Sequence, residues 1–153
     1  MKARQATARD AEELVRLRAV LLSSMSGRAW DDDWRAPAHQ TFASRLAGPE
    51  PSMAAFVVDR PGGGLAACAV GTIERRLGSP GDPSGLVGYI LNVATDPDQR
   101  RRGHCRACMT ALVDWFRVGG IHKVDLRASP EAEPLYRDLG FTRTPDPAMR
   151  LRL

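Results

Sequence analysis

The sequence predicts a single α/β (α+β) domain over residues 1–153, and three observations lead there. "LVGYILNVAT" (86–95) is a nearly continuous apolar run, as a central strand covered on both faces requires. It leads through "DPDQRRRG" into residues whose apolar positions recur at helical spacing. Upstream, two β-like runs flank the turn signal "PGGG". With 43% hydrophobic and 26% charged residues, the composition excludes disordered and fibrous classes and is sufficient for one buried core.

The elements come in order. Residues 2–7 read as a short first strand. "ARDAEELVRLRAVLLSSM" reads as the first helix, with Thr7 or Asp10 as cap, acids in the first turn, and Leu14, Leu17 and Leu21 at helical spacing. "SGRAWDDDW" breaks it. "DDWRAPAHQTFASRLAG" is the second helix, with Pro37 near its start and Gly48 at its end. "MAAFVVDR" and "LAACAVGTIERRL" make a hairpin, "GSPGDPSG" a loop, and "LVGYILNVAT" the central strand. After Gly103, Cys105, Met109, Leu112, Val113 and Phe116 share one helix face, which ends at Gly119–Gly120. "HKVDLRA" alternates, with His122, Val124 and Leu126 on one strand face. "SPEAEPLYRDLG" is a short helix capped by Ser129, with Pro130 at its first position and Gly140 closing it. "FTRTPDPAMRLRL" supplies two short final strands broken at Pro145–Pro147. The predicted order is β, α, α, β, β, β, α, β, α, β, β.

Bulk properties narrow the partners. No apolar run approaches the ~18 residues of a membrane span, and "MKARQATARD" lacks the apolar centre of a signal peptide. A cytoplasmic protein without a membrane partner is the expectation. The net charge is +4, and removing Arg100, Arg101, Arg102 and Arg106 leaves a neutral chain. A concentrated cationic spot fits a compact anionic ligand better than a duplex. No interleaved aromatics stack bases, so no nucleic-acid partner is expected.

Three adjacent arginines repel one another, so Arg100–Arg102 form either a solvated turn or an anion site. A helix start leaves N–H groups without internal partners and carries partial positive charge. Gly103 lets main chain approach a ligand closely, and arginine adds charge-assisted, often bidentate, bonds. A pyrophosphate suits such a nest.

Here the residues carry a resemblance. Arg100-x-x-Gly103-x-Cys105 resembles the Q/R-x-x-G-x-G/A loop of the GNAT superfamily of acetyl-CoA-dependent N-acetyltransferases. "LNVATDP" resembles that family's cofactor-contacting strand. "ASPEAEPLYRDLGF" resembles its closing segment, with a tyrosine four residues before Gly-Phe. One departure stands out: Cys105 occupies a position usually held by glycine or alanine.

The resemblance implies a mixed, mostly antiparallel central sheet of six to seven strands flanked by four helices. It implies that acetyl-CoA is the co-substrate, with no metal. Arg100, Arg101, Arg102, Gly103, His104, Cys105 and Arg106 would hold its pyrophosphate. Main-chain groups of Asn92, Val93 and Ala94 would pair with the pantetheine arm, and Ser129 is counted among the cofactor contacts. Tyr136 matches the family's tyrosine as general acid toward the sulfur, and a strand N–H near Val93 would polarise the carbonyl. The acceptor implied is a primary amine of a small molecule or peptide, attacking directly in a ternary complex.

Other readings stay open at this point. Glu74 is either a general base or a solvated residue of "ERRL". Trp30, Asp31, Asp32 and Asp33 either recognise a cationic amine, through charge and cation–π contact, or form a solvated loop. Tyr89 is a candidate for the acceptor cleft. "AMRLRL" is able to pair across a homodimer. Cys105 and Cys108 form a C-x-x-C pair, but three arginines and a glycine separate them from the strand, unlike a redox motif. His104, His39 and His122 lack zinc-ligand spacing. A non-catalytic acyl-CoA-binding module is the alternative class of function.

Overall fold

A computed structural model describes residues 2–26, 31–49 and 52–153. The strands β1 (Arg4–Gln5), β2 (Met53–Asp59), β3 (Leu65–Arg75), β4 (Leu86–Thr95) and β5 (Val124–Leu126) form one sheet in that order. The first four pair antiparallel, and β5 runs parallel to β4. The helices α1 (Ala11–Ser26) and α2 (Arg35–Arg45) precede β2; α3 (His104–Val118) and α4 (Glu133–Asp138) come after β4 and β5 respectively. The mixed, mostly antiparallel sheet and four helices match the predicted class.

Two cores cover the sheet. Leu14 and Leu17 of α1 and Phe42 of α2 pack on Val57, Cys68 and Val70. Met109, Leu112 and Phe116 of α3 pack on the other face with Ala69 and Ile90. The buried stripe of α3 includes Cys108, while Cys105 and Val113 are half-buried, so the inward face is rotated slightly from the predicted one. Strand glycines explain the close approach of α3. A Cβ on Gly71 would sit 2.6 Å from Phe116 Cζ, and one on Gly88 2.7 Å from Phe116 Cε1. Both positions lack side chains because the ring occupies that space.

Thr7 does cap, though it caps a 3-10 turn (Ala8–Asp10) leading into α1. Its hydroxyl accepts from Arg9 N–H at 3.3 Å, and Asp10 accepts from Thr7 N–H at 2.8 Å.

Three sequence expectations need correction. The last helix starts at Glu133, with Pro134 rather than Pro130 in its first turn; Ser129 instead closes the preceding turn by accepting from Ala132 N–H at 3.3 Å. His122 lies before β5 and is exposed, so it does not share the face of Val124 and Leu126. The two final strands do not form: residues 141–153 run on from α4 without sheet pairing, and among the described residues the sheet has five strands rather than six or seven. Alternating apolar residues specify a strand only when an edge accepts its backbone groups.

Candidate active site

β4 is the element on which the site is built. Its pairing with β3 shifts register between Val70 and Gly71: Val70 faces Asn92 and Gly71 faces Ile90, which leaves Leu91 as an extra residue. Such a bulge bends a strand and re-aims the residues beyond it. Pairing with β5 stops at Ile90, opposite Leu126. Further along, Asp96 N–H donates to Ala66 C=O on the β3 side at 2.9 Å. Strand alternation therefore turns the N–H and C=O of Val93 and Thr95 toward the side that β5 has left. These are polar backbone groups on an open edge, beside a buried sheet.

The chain then turns through Pro97–Gln99 into the arginine loop. Arg101 has φ +61° and Gly103 has φ +82°. A left-handed arginine costs about 1–2 kcal/mol, and such strain collects where backbone is held for a purpose. Ala107 N–H closes the first turn of α3 on Gly103 C=O at 3.0 Å. Among the described residues, Arg100, Arg101 and Arg102 make no ion pair, whereas Arg106 reaches Asp138 on α4 at 3.0 Å. The three exposed guanidiniums thus keep their field for something that comes from outside.

A buried ionic clamp holds the loop's base. Asp96 is 3% exposed and accepts from Arg16 at 2.7 and 3.0 Å and from Arg60 at 2.6 Å. Arg16 also reaches Glu13 at 2.6 Å and Leu65 C=O at 2.9 Å. Removing either guanidinium would leave a buried charge short of partners. The clamp ties α1, β3 and the end of β4 together, 80 residues apart in sequence. Nothing local in the sequence announces it.

Between these parts lies a cavity of about 860 Å³. Val93, Ala94, Arg100, Arg101, Gly103, His104, Cys105, Arg106 and Tyr136 all line it. The structure thus gathers most of the predicted cofactor contacts, together with Tyr136, around one space. It adds Val20, Leu21 and Ser24 from α1, and Glu131, Ala132 and Leu135 around α4, which sequence reasoning missed. Leu21 fits the helical repeat of a core face; both it and Val20 are instead half-buried over the cavity.

Other expected residues sit elsewhere. Arg102 is exposed and outside the lining. Asn92 is 1% exposed beneath α1, where its Oδ1 accepts from Arg18 at 3.2 Å, and by the same alternation its N–H and C=O, like those of Ala94, face β3 rather than the open edge. Ser129 is not part of the lining. Tyr89 faces a second cavity, of about 460 Å³, which Tyr136 also borders. Glu74 is not brought near the loop. Its carboxylate accepts from Arg76 at 2.9 Å, and it pairs with Val87, which is about 20 Å along β4 from Val93. Asp31, Asp32 and Asp33 are exposed; Asp32 accepts from Arg35 at 2.7 Å, and that guanidinium lies 5.2 Å from the Trp34 ring centre. Trp30 lies outside the described residues.

The electrostatics favour a proton kept on Tyr136. The side chain is 6% exposed, and its phenol is pushed up to about 12, chiefly by burial and secondarily by the Cys105 thiol. Burial also pushes the Cys105 thiol up to about 11 and Cys68 to about 12, and raises Cys108. The C-x-x-C pair is therefore held as thiols, the opposite of a redox-active dithiol. No group of three or more metal-ligating side chains is gathered among the described residues. No helix among them is long and apolar enough to cross a membrane.

An open strand edge, a left-handed arginine–glycine loop at a helix mouth and a protonated tyrosine fit a long, amide-bearing diphosphate ligand. The edge offers partners for amides, and the loop offers N–H groups and charge for phosphates. Comparison with known proteins agrees with that fit. The model of the Acetyltransferase (GNAT) family matches residues 19–141. A sequence search of curated proteins gives no match. Among solved structures, a predicted acetyltransferase of Clostridium acetobutylicum with acetyl-CoA has a TM-score of 0.85 at 24% identity, covering 99% of this chain and 95% of that one. A GCN5-related N-acetyltransferase of Ralstonia eutropha JMP134 has a TM-score of 0.82 at 24% identity, covering 98% and 97%. Glucosamine-6-phosphate N-acetyltransferase of Arabidopsis thaliana has a TM-score of 0.72 at 19% identity, covering 98% and 97%. With the loop, the strand edge and the tyrosine in place over most of its length, the chain belongs to the GNAT family of acetyltransferases, enzymes that use acetyl-CoA as co-substrate.

Proposed function

We propose that residues 1–153 form a single catalytic domain that acts in the cytoplasm. It transfers an acetyl group from acetyl-CoA to a primary amine of a small molecule or peptide. The amine attacks directly within a ternary complex, with no acyl-enzyme. The observation that carries this reading is the convergence on one cavity of Val93, the Arg100–Arg106 loop and Tyr136.

Acetyl-CoA supplies an activated thioester carbonyl. The chain's residues supply the rest. Arg100, Arg101 and the N–H groups around Gly103 grip the diphosphate, and the β4 edge at Val93 and Thr95 pairs with the arm as an added strand would. This fixes the reacting carbon against an incoming amine, and orientation alone removes a large share of the barrier. Val93 N–H donates to the carbonyl oxygen as charge gathers there. Tyr136 donates to the departing sulfur. Against an ordinary thiol pKa near 8.5, complete transfer from a phenol near 12 runs uphill by roughly three to four pKa units. The hydroxyl therefore acts as a hydrogen-bond donor to developing thiolate, and solvent completes the protonation. A general base must lie within direct or one-water reach of the amine. Glu74 is too far along β4 and already holds Arg76, so the amine loses its proton to water.

Exposed Asp31, Asp32 and Asp33 stand at the start of α2, and we assign them to attracting a cationic acceptor. Exchanging all three for asparagine should raise KM for cationic amines and leave neutral-bodied amines unaffected; an unchanged preference removes that role. The whole reading is tested by free-thiol release with an amine panel, beside thermal stabilisation by acetyl-CoA. Stabilisation with acetylation of at least one amine is expected. Stabilisation without turnover on any amine would make the chain a binding module, and no stabilisation would remove the cleft's assignment.

A further inference from the structure

Arg60 borders neither cavity, yet it is built into the approach to the arginine loop. It follows β2 in the tight turn toward β3, where its N–H donates to Gly64 C=O at 2.9 Å and its C=O accepts from Gly63 N–H at 3.1 Å. From this fixed base the guanidinium reaches the end of β4. Its Nη1 donates to Asp96 Oδ2 at 2.6 Å, and its Nη2 donates to Asp98 Oδ2. The two carboxylates flank Pro97, so one planar fork spans the turn Pro97–Gln99. Within that turn Asp96 C=O accepts from Gln99 N–H at 2.9 Å.

The loop is anchored at its other end as well, where Ala107 N–H meets Gly103 C=O and Arg106 meets Asp138. Between the two anchors Arg101 holds φ +61°. A left-handed arginine persists only where the structure around it over-determines its backbone. Gln99, Arg100 and Arg101 line the larger cavity, whereas Asp98 and Arg60 stand outside its lining.

We infer that Arg60 is a positioning residue for the diphosphate of acetyl-CoA: by holding Asp96 and Asp98 on one fork, it keeps Arg101 left-handed and the loop N–H groups aimed before the ligand arrives. This rests on the reading of the loop as the diphosphate site. With the fork in place, the strain at Arg101 is met during folding. Without it the free loop relaxes, and every binding event must restore the strained form. The strain of one left-handed residue corresponds to a factor of about 5–30 in affinity. Arg60 can be removed without orphaning a buried charge. Asp96 keeps two bonds from Arg16, at 2.7 and 3.0 Å, and the Asp98 side chain is 58% exposed.

The test compares two ligands by calorimetry: acetyl-CoA, and S-acetylpantetheine, which has the same thioester and amide arm without diphosphate or nucleotide. Arg60→Met should weaken acetyl-CoA by about 5- to 30-fold and leave S-acetylpantetheine unchanged. Equal losses on both ligands would make Arg60 a general structural residue and overturn the proposal. Losing a positive charge also weakens an anion, so a variant of opposite charge is needed, and it serves as well should Arg60→Met not fold. Asp98→Ala removes a carboxylate two residues from Arg100, which by charge alone should tighten acetyl-CoA. The positioning role requires weaker binding instead, and tighter or equal binding overturns it. A native preference for acetyl-CoA that survives Arg60→Met intact overturns the positioning role alone. A native chain that binds both ligands alike removes the diphosphate site itself, and this proposal with it.

Discussion

Replacing Tyr136 with phenylalanine isolates the chemistry of one oxygen. The ring is 6% exposed, with its centre 6.0 Å from that of Phe141, and phenylalanine keeps both the volume and that contact. Among the described residues the hydroxyl has no hydrogen-bond partner, so its loss strands no buried donor or acceptor. Stability should therefore move by no more than about 0.5 kcal/mol. The expected cost lies in the transition state. A hydrogen bond to a charged group is worth about 1.5–3 kcal/mol. At 1.36 kcal/mol per tenfold, that is a fall in kcat of about 10- to 150-fold. KM for acetyl-CoA should hold steady, since the bond to sulfur strengthens only as the thiolate develops. Because burial places the phenol near 12, the native enzyme should show no alkaline limb from Tyr136 in the usual assay range. Free-thiol release across pH measures both quantities. A phenylalanine variant that turns over like the native enzyme at every pH would refute the assignment.

Three further outcomes come from the geometry. Gly103→Ala forces a side chain into φ +82°, yet its Cβ meets nothing within 4 Å. Stability should fall by only about 1–2 kcal/mol, while calorimetry should show acetyl-CoA binding weakened by about tenfold or more, and equal affinity would clear Gly103 of ligand contact. Gly71→Ala drives a Cβ to 2.6 Å from Phe116 Cζ, which should lower unfolding stability in urea by about 1–3 kcal/mol. Adding Phe116→Leu should recover part of the loss, and simple additivity would contradict the packing account. At acid pH, hydrogen bonds from Arg4 hold Asp10 below its usual 3.8, and those from Arg16 hold Glu13 below 4.5. Depressed carboxyl groups stabilise the fold fully above their unfolded values, and that stability drains as pH falls through the folded ones. The urea midpoint should therefore drop below about pH 4, and less steeply in Arg4→Met; an identical slope would remove Asp10 from the account.

Local chemistry made much of the molecule legible in its sequence. "LVGYILNVAT" is nearly continuous in apolar residues because β4 is covered on both faces over most of its length, and the glycine-bounded helix after it arises from periodicity and termination signals. The Arg100–Arg106 loop showed itself by an electrostatic conflict that only an outside anion or bulk water relieves. Other parts were hidden because their partners are distant. Asp96 looks like a loop aspartate until Arg16 and Arg60 close on it, and Val20 looks like helix interior until α1 passes over the cleft. Glu74 illustrates the converse: a plausible carboxylate on a neighbouring strand, set far from the loop by antiparallel register.

The sequence by itself determined the main helices, the inner strands and where cationic charge is concentrated. Those properties reside in side-chain periodicity, glycine and proline geometry, and like-charge repulsion between neighbours. Only the tertiary structure decided that the β4 edge opens after Ile90, that Tyr136 faces the same cavity as Arg100 and Arg101, and that residues 141–153 run outside the sheet. These are outcomes of register and packing between residues tens of positions apart. A single residue of slip would reverse every side chain on a strand, and no local pattern encodes that choice.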